Sequence, residues 1–388
     1  MKATAAAGLN GEALKRLSDA LARLINTGRL PGAVWMVHRH GALGCFESLG
    51  ALDPVRGLPM RADAIFRIYS MTKPIVSVAL MMLAEQGRVL LRDLVSKYLP
   101  EFVRARVGVE RGGQLELKLP NRPMTVHDLL RHTAGLTYEF LEPSAVRLRY
   151  VEAKLFARDR SSAEHCAALA ALPLMHEPGS VWDYSRATDV LGRVVEVLSG
   201  QTLGEHLRGA IFEPLGMLDT GFAVPVEQHV RLAEPFALNP DTGVPVSLYD
   251  ARVPAALEGG GGGLLSTAAD YARFLHLLLN GGSLEGRRLL GHKTVEFMTA
   301  DHLGALPRSG DVLPPGHGFG LGFAVKTDLG MHTEPGSVGT YGWSGAAGTA
   351  FFVDPKESMF AMIMVQAPGQ LDEVRELFRQ LVYAAVDE

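Results

Sequence analysis

The two ends of this chain carry the same pattern in mirror order, and that constrains the fold more than anything between them. Near the start, Leu14, Leu17, Leu21, Leu24 and Ile25 recur at helical spacing, which predicts an amphipathic helix ending near Gly28. Pro31-Gly32 interrupts the chain. Residues 33–37 then read as a buried strand, His40-Gly41 as a turn, and residues 42–49 as a returning strand. Near the other end, residues 349–353 and 359–366 read as strands on either side of Asp354-Pro355, and residues 372–386 as a terminal helix. Strand pairs at both ends, with a helix at each end, predict one antiparallel sheet built from the two termini.

The middle reads differently. Segments 74–86, 125–133, 162–172, 187–198 and 267–280 carry helical periodicity and few strand signals, so a mainly helical lobe is expected between the two halves of the sheet. The expected class is α+β. Residues 1–72 and 258–388 would form the sheet domain, residues 73–257 the helical domain, with the active site at their interface. The chain has 388 residues, which leaves room for two such lobes. The only low-complexity patch is Gly259 to Gly263. No Lys-Ser or Lys-Thr follows it, so it reads as a tight loop into a helix capped by Thr267 and Asp270, not as a phosphate loop.

Composition narrows the function classes. Hydrophobic residues are 47% and charged residues 21%, which is globular, and the net charge of -4 gives no reason to expect nucleic acid or an anionic membrane as partner. Two cysteines, Cys45 and Cys166, are too few for a disulfide scaffold and are expected to be buried thiols. The first ten residues lack the apolar core of a signal peptide, and the most apolar later run, residues 75–84, is about half the ~20 residues a spanning helix needs. A soluble cytoplasmic protein is the expectation.

The chemistry is concentrated in Tyr69-Ser70-Met71-Thr72-Lys73-Pro74. No other lysine has a serine three residues before it. Residues three apart share a helix face, so Lys73 can reach the Ser70 hydroxyl. Pro74 belongs in a first turn, where a missing N–H costs nothing. The helix should therefore start near Met71 and leave Ser70 at its N-terminal end, where a free N–H and the helix dipole favour a developing oxyanion. Burial should disfavour the charged form of Lys73 and suit it to act as a base.

With other segments added, the chain resembles the superfamily of class C β-lactamases, penicillin-binding proteins and family VIII carboxylesterases. These segments are Met124-Thr125-Val126-His127-Asp128-Leu129-Leu130-Arg131-His132-Thr133-Ala134-Gly135-Leu136, Pro178-Gly179 ahead of Trp182-Asp183-Tyr184-Ser185, and Gly262-Gly263-Leu264-Leu265-Ser266-Thr267-Ala268-Ala269-Asp270. The resemblance runs over nearly the whole chain and implies a β-lactamase/transpeptidase-like fold. The superfamily's Tyr-x-Asn falls on Tyr184-Ser185-Arg186, which keeps the tyrosine and loses the asparagine. Its Lys-Thr-Gly falls on Trp343-Ser344-Gly345, the form that family VIII esterases show.

Those departures have physical content. A strand lysine offers a cation to the carboxylate of a lactam, whereas a tryptophan offers an apolar wall with one N–H donor. Neutral esters are therefore favoured, with Arg186 as a candidate replacement cation or a solvated helix residue. From residues alone, Tyr184 could equally be a core tyrosine and Trp343 a packed strand aromatic. The resemblance implies catalysis by Ser70, Lys73 and Tyr184, with the last two sharing the base role. It also implies an oxyanion hole from the N–H groups of Ser70 and Ala346, and substrate contacts at Trp343, Ser344, Gly345 and Arg186. Neither metal nor organic cofactor is implied, and the expected partner is a small ester. Gly-x-Ser-x-Gly and His-Glu-x-x-His are absent. His38 and His40 read as an exposed strand end. Lactamase or D-amino-acid peptidase activity, acyl transfer to another alcohol, and a non-catalytic binding or filament-forming relative are the alternatives.

Overall fold

A computed structural model describes residues 7–387. The first six residues of the N-terminal stretch read above lie outside them. The two ends of the chain do meet in one sheet. The strand Gly32–Arg39 pairs on one side with Ala42–Asp53 and on the other with Met359–Val365, all antiparallel. The register runs from Ala33 opposite Val365 to Arg39 opposite Met359. Beyond Met359–Val365 the sheet continues through Ala350–Asp354, Tyr341–Ser344, Ala324–Lys326 and His317–Phe319, and Leu58–Pro59 closes the other edge to make eight strands.

Gly32–Arg39 and Met359–Val365 are buried along their whole length, so both faces of the sheet are covered. Side chains alternate between the two faces. Trp35, Val37, Ala361 and Ile363 pack with Leu14, Leu17 and Leu21 of the helix Gly11–Asn26 and with Phe378 and Val382 of the helix Leu371–Tyr383. Val34, Met36, Phe360, Met362 and Met364 join the larger core on the opposite face, with Ile75, Val76 and Val78 of Thr72–Glu85 and Tyr271 and Phe274 of Ala268–Leu279. The predicted end elements thus stand within a few residues of their expected bounds.

The middle is richer than its periodicity suggests. Helices cover Thr72–Glu85, Val126–Leu130, Ala145–Glu152, Ser162–Ala170 and Ala187–Ser199, but a hairpin of Val107–Arg111 and Gln114–Lys118 stands among them. His38 also departs from expectation. It is 7% exposed, stacked on Phe360 and edge-on to His276, because its strand has neighbours on both sides. Burial and the His276 imidazole push its pKa down to about 4. His40, by contrast, sits in the exposed turn at φ 52° and shares no strand face with it. Cys45 and Cys166 are free and buried. No described helix is long and apolar enough to cross a membrane.

Candidate active site

Ser70 lies in a single 3-10 turn, Tyr69–Met71, that runs directly into the helix Thr72–Glu85. Pro74 occupies the first turn, where no N–H is needed. The turn's first donor is the Met71 N–H, to the Ile68 carbonyl, so the Ser70 N–H precedes the helical bonding. Tyr69 is held at φ 42°, a left-handed conformation that costs a side-chain-bearing residue energy and needs support from its surroundings. That support is visible. Tyr69 packs edge-on against Tyr249 at 5.4 Å, the Tyr271 hydroxyl donates to the Met71 carbonyl at 2.9 Å, and the Leu264 N–H donates to Thr72 Oγ1 at 3.1 Å.

Lys73 Nζ has three oxygen neighbours: Ser70 Oγ at 3.2 Å, Tyr138 OH at 3.0 Å and the Gly261 carbonyl at 2.6 Å. An ammonium has three protons to donate and no lone pair, so this shell fits the charged form. Burial acts against that charge, yet Tyr138 and Tyr184 outweigh it, and the Lys73 pKa stands above the ordinary lysine value. This corrects the expectation that burial would leave Lys73 a neutral base. The acceptors come from residues 65 and 188 positions away and could not be read from the motif.

Tyr184 meets Ser70 from the other side. Its hydroxyl donates to Ser70 Oγ at 2.7 Å and receives the Trp343 Nε1–H at 3.3 Å. The segment carrying Tyr184 is pinned at each neighbouring residue. Trp182 is fully buried, Asp183 pairs with Arg147 at 3.0 Å, and Ser185 Oγ lies 3.0 Å from His132 Nδ1. Burial, with the Lys73 charge added, drives His132 well below the usual histidine pKa, so its imidazole is neutral.

Trp343 and Ser344 alternate along the strand Tyr341–Ser344. Trp343 packs on Tyr184 at 5.3 Å between ring centroids, and Trp343 and Ser344 both line a cavity of about 330 Å³ with Arg375 and Glu334. Gly345 follows at the point of closest approach to the nucleophile's own segment. A Cβ there would stand 2.4 Å from the Ile68 carbonyl oxygen, so only glycine lets this turn lie against the residues before Ser70. Ala346 is exposed in that turn, and among the described residues no acceptor takes its backbone N–H.

Arg186 is placed differently from the substrate cation considered above. It is 5% exposed, and its guanidinium pairs with Glu139 and Asp189, so its charge is neutralised inside the helical lobe. Asp189 in turn accepts the Gly261 N–H at 2.7 Å, which aims the Gly261 carbonyl at Lys73. Arg186→Met is therefore expected to destabilise the fold by about 3–5 kcal/mol, because it strands buried carboxylates. Denaturant unfolding measures this, and a loss under about 1 kcal/mol would show that the network carries no such load.

Three participants were not anticipated: Tyr138, Asp189 and the carbonyl of Gly261. Tyr138 stands two residues beyond the quoted segment ending at Leu136, which was the available signal. The glycine run is a loop, as expected, but one built for close packing. A Cβ on Gly260 would meet the Thr188 carbonyl at 2.5 Å and one on Gly261 the Asp189 carboxylate at 2.9 Å.

With this geometry in view, comparisons with known proteins converge. The family model described as Beta-lactamase matches residues 17–385. Protein Rv1367c of Mycobacterium tuberculosis is 33% identical, covering 89% of this chain and 88% of that one. Esterase EstB of Burkholderia gladioli is 33% identical over 95% of each chain. The solved structure of EstCE1, a hydrolase with promiscuous acyltransferase activity, superposes with a TM-score of 0.80 at 28% identity, covering 96% of this chain and 98% of that one.

Proposed function

Because the chain belongs to the β-lactamase family, on its family VIII esterase branch, it is a serine carboxylesterase, and we propose that it cleaves short-chain carboxylic esters through an acyl-enzyme on Ser70. The observation that carries this reading is the convergence on one oxygen: Ser70 Oγ has Tyr184 OH at 2.7 Å and Lys73 Nζ at 3.2 Å. Residues 1–72 with 258–388 form the sheet domain in this reading, residues 73–257 the helical domain, and the ester enters between them.

In the reacting form the Tyr184 hydroxyl has given its proton to solvent, and the Ser70 proton passes to that phenolate oxygen as Ser70 Oγ attacks the ester carbonyl. Lys73, held as an ammonium 4.7 Å from the Tyr184 ring centroid, stabilises negative charge on that phenolic oxygen, and the Trp343 N–H does so through a hydrogen bond. The N–H groups of Ser70 and Ala346 receive the oxyanion. Tyr184 then returns its proton to the departing alcohol. Water attacks the acyl-enzyme by the same route in reverse, and the acid leaves.

Trp343 explains why an ester is the better substrate. It leaves position 343 itself without a cation; Arg186 on the helical side is neutralised by Glu139 and Asp189, and Arg375 beside the strand donates to the Gly345 carbonyl. A charge-assisted hydrogen bond is worth about 1.5–3 kcal/mol, roughly ten- to a hundredfold in binding. The wild type should therefore hydrolyse neutral short esters much faster than penicillins, compared by kcat/KM. Trp343→Lys should narrow that gap by raising lactam turnover, lowering ester turnover, or both. A wild type that already prefers penicillins would refute the role given to this strand.

A further inference from the structure

Two phenylalanines stand open beside the site, Phe140 at 57% and Phe156 at 62% exposure. A single exposed apolar side chain is ordinary, but a contiguous apolar surface beside a site marks a place where a ligand can bind. They are not isolated. Phe140 stacks on Tyr138 at 4.7 Å between centroids, and Phe156 continues the row at 6.4 Å from Phe140. Tyr138 is itself 5.1 Å from Tyr184 and hydrogen-bonded to Lys73. An aromatic shelf thus leads outward from the reacting atoms. Arg186 fixes its inner side, with its guanidinium carbon 5.1 Å from the Tyr138 centroid and 4.7 Å from that of Phe156. The shelf is therefore held in place rather than free to collapse.

We propose that the Tyr138–Phe140–Phe156 shelf binds a bulky apolar or aromatic alcohol arm of the ester. This rests on the esterase reading above and extends it to a substrate class: short acyl chain, large apolar alcohol. The assignment to the alcohol arm follows from position. The row starts beside Tyr184, the residue that protonates the departing alcohol, and the alcohol's substituents must leave that point along some wall. Here the wall is aromatic, and flat rings favour stacking with a flat partner.

The test compares two acetates of primary alcohols, so that leaving-group chemistry is matched: 2-(2-naphthyl)ethyl acetate and ethyl acetate. The wild type should prefer the naphthyl ester in kcat/KM. In Phe140→Ala/Phe156→Ala that preference should fall by about tenfold or more, the loss being carried by the larger ester. Phe140→Tyr/Phe156→Tyr keeps both rings and should retain the preference. An equal fall for both esters, or an unchanged preference, would overturn the proposal. So would a change in sedimentation without a change in preference, because the rings would then cover a second copy of the chain. A wild type inert toward both acetates would sink the esterase reading itself, and the shelf's role with it.

Discussion

Ser70→Ala is expected to lower kcat/KM for a short p-nitrophenyl ester by more than about 10⁴-fold, since deleting a nucleophile removes the whole covalent route. The substitution removes one atom from a half-buried residue. The turn around it is fastened elsewhere, by the Tyr271 hydroxyl donating to the Met71 carbonyl and by the Leu264 N–H donating to Thr72 Oγ1. Lys73 keeps Tyr138 and the Gly261 carbonyl as acceptors, and Tyr184 keeps the Trp343 N–H. Circular dichroism should therefore be unchanged. Retention of more than about a hundredth of the activity would reject the assignment of Ser70, because no loss of a true nucleophile is that mild.

The second large effect is expected at Tyr184. Tyr184→Phe removes only the oxygen and leaves the ring packed among Tyr138, His132 and Trp343. Loss of a general acid–base group costs about 10²–10⁴-fold, and the loss should appear in kcat with little change in KM. Lys73→Met is the informative companion. If Tyr184 takes the proton and Lys73 supplies charge, both variants are crippled at neutral pH, and raising the pH, which ionises the Tyr184 hydroxyl, partly rescues Lys73→Met but not Tyr184→Phe. Should Tyr184→Phe stay within about tenfold of wild type while Lys73→Met is inert, the lysine is the base and the present division of roles is wrong.

The contrast between these two residues marks where sequence reasoning stops. Ser70 and Lys73 are three residues apart, so helical geometry alone brings them together, and Lys73 Nζ stands 3.2 Å from Ser70 Oγ. The closing of the sheet by the two termini was equally legible, because alternation and turn residues are local signals that each strand carries for itself. The protonation state of Lys73 was not. It depends on Tyr138, Tyr184 and Gly261, and nothing in a motif announces which oxygens will surround a buried nitrogen. Arg186 shows the same limit from the other side. A lone arginine after Tyr184 can be read as a substrate cation until Glu139 and Asp189 are seen to neutralise it. His38 looked exposed because the chain around it ends in a turn. It is buried because Met359–Val365, more than three hundred residues later, lies alongside.

The hairpin at Val107–Arg111 and Gln114–Lys118 was legible but passed over: Val107 and Val109, then Leu115 and Leu117, alternate with other residues on either side of the Gly112-Gly113 turn, in two runs of only five residues. Gly345 is a case where the residue type was noticed and its purpose was not. Its lack of a side chain matters because the Ile68 carbonyl, two residues before Ser70, is pressed against it.

The central claim is that Ser70 is a nucleophile activated by its neighbours, and a fluorophosphonate probe tests it without assuming any substrate. Intact-mass measurement after exposure should show one covalent adduct per chain. Peptide mapping should place it on Ser70, and the Ser70→Ala protein should stay unlabelled. An unlabelled wild type, or an adduct on another serine with Ser70 untouched, would contradict the account.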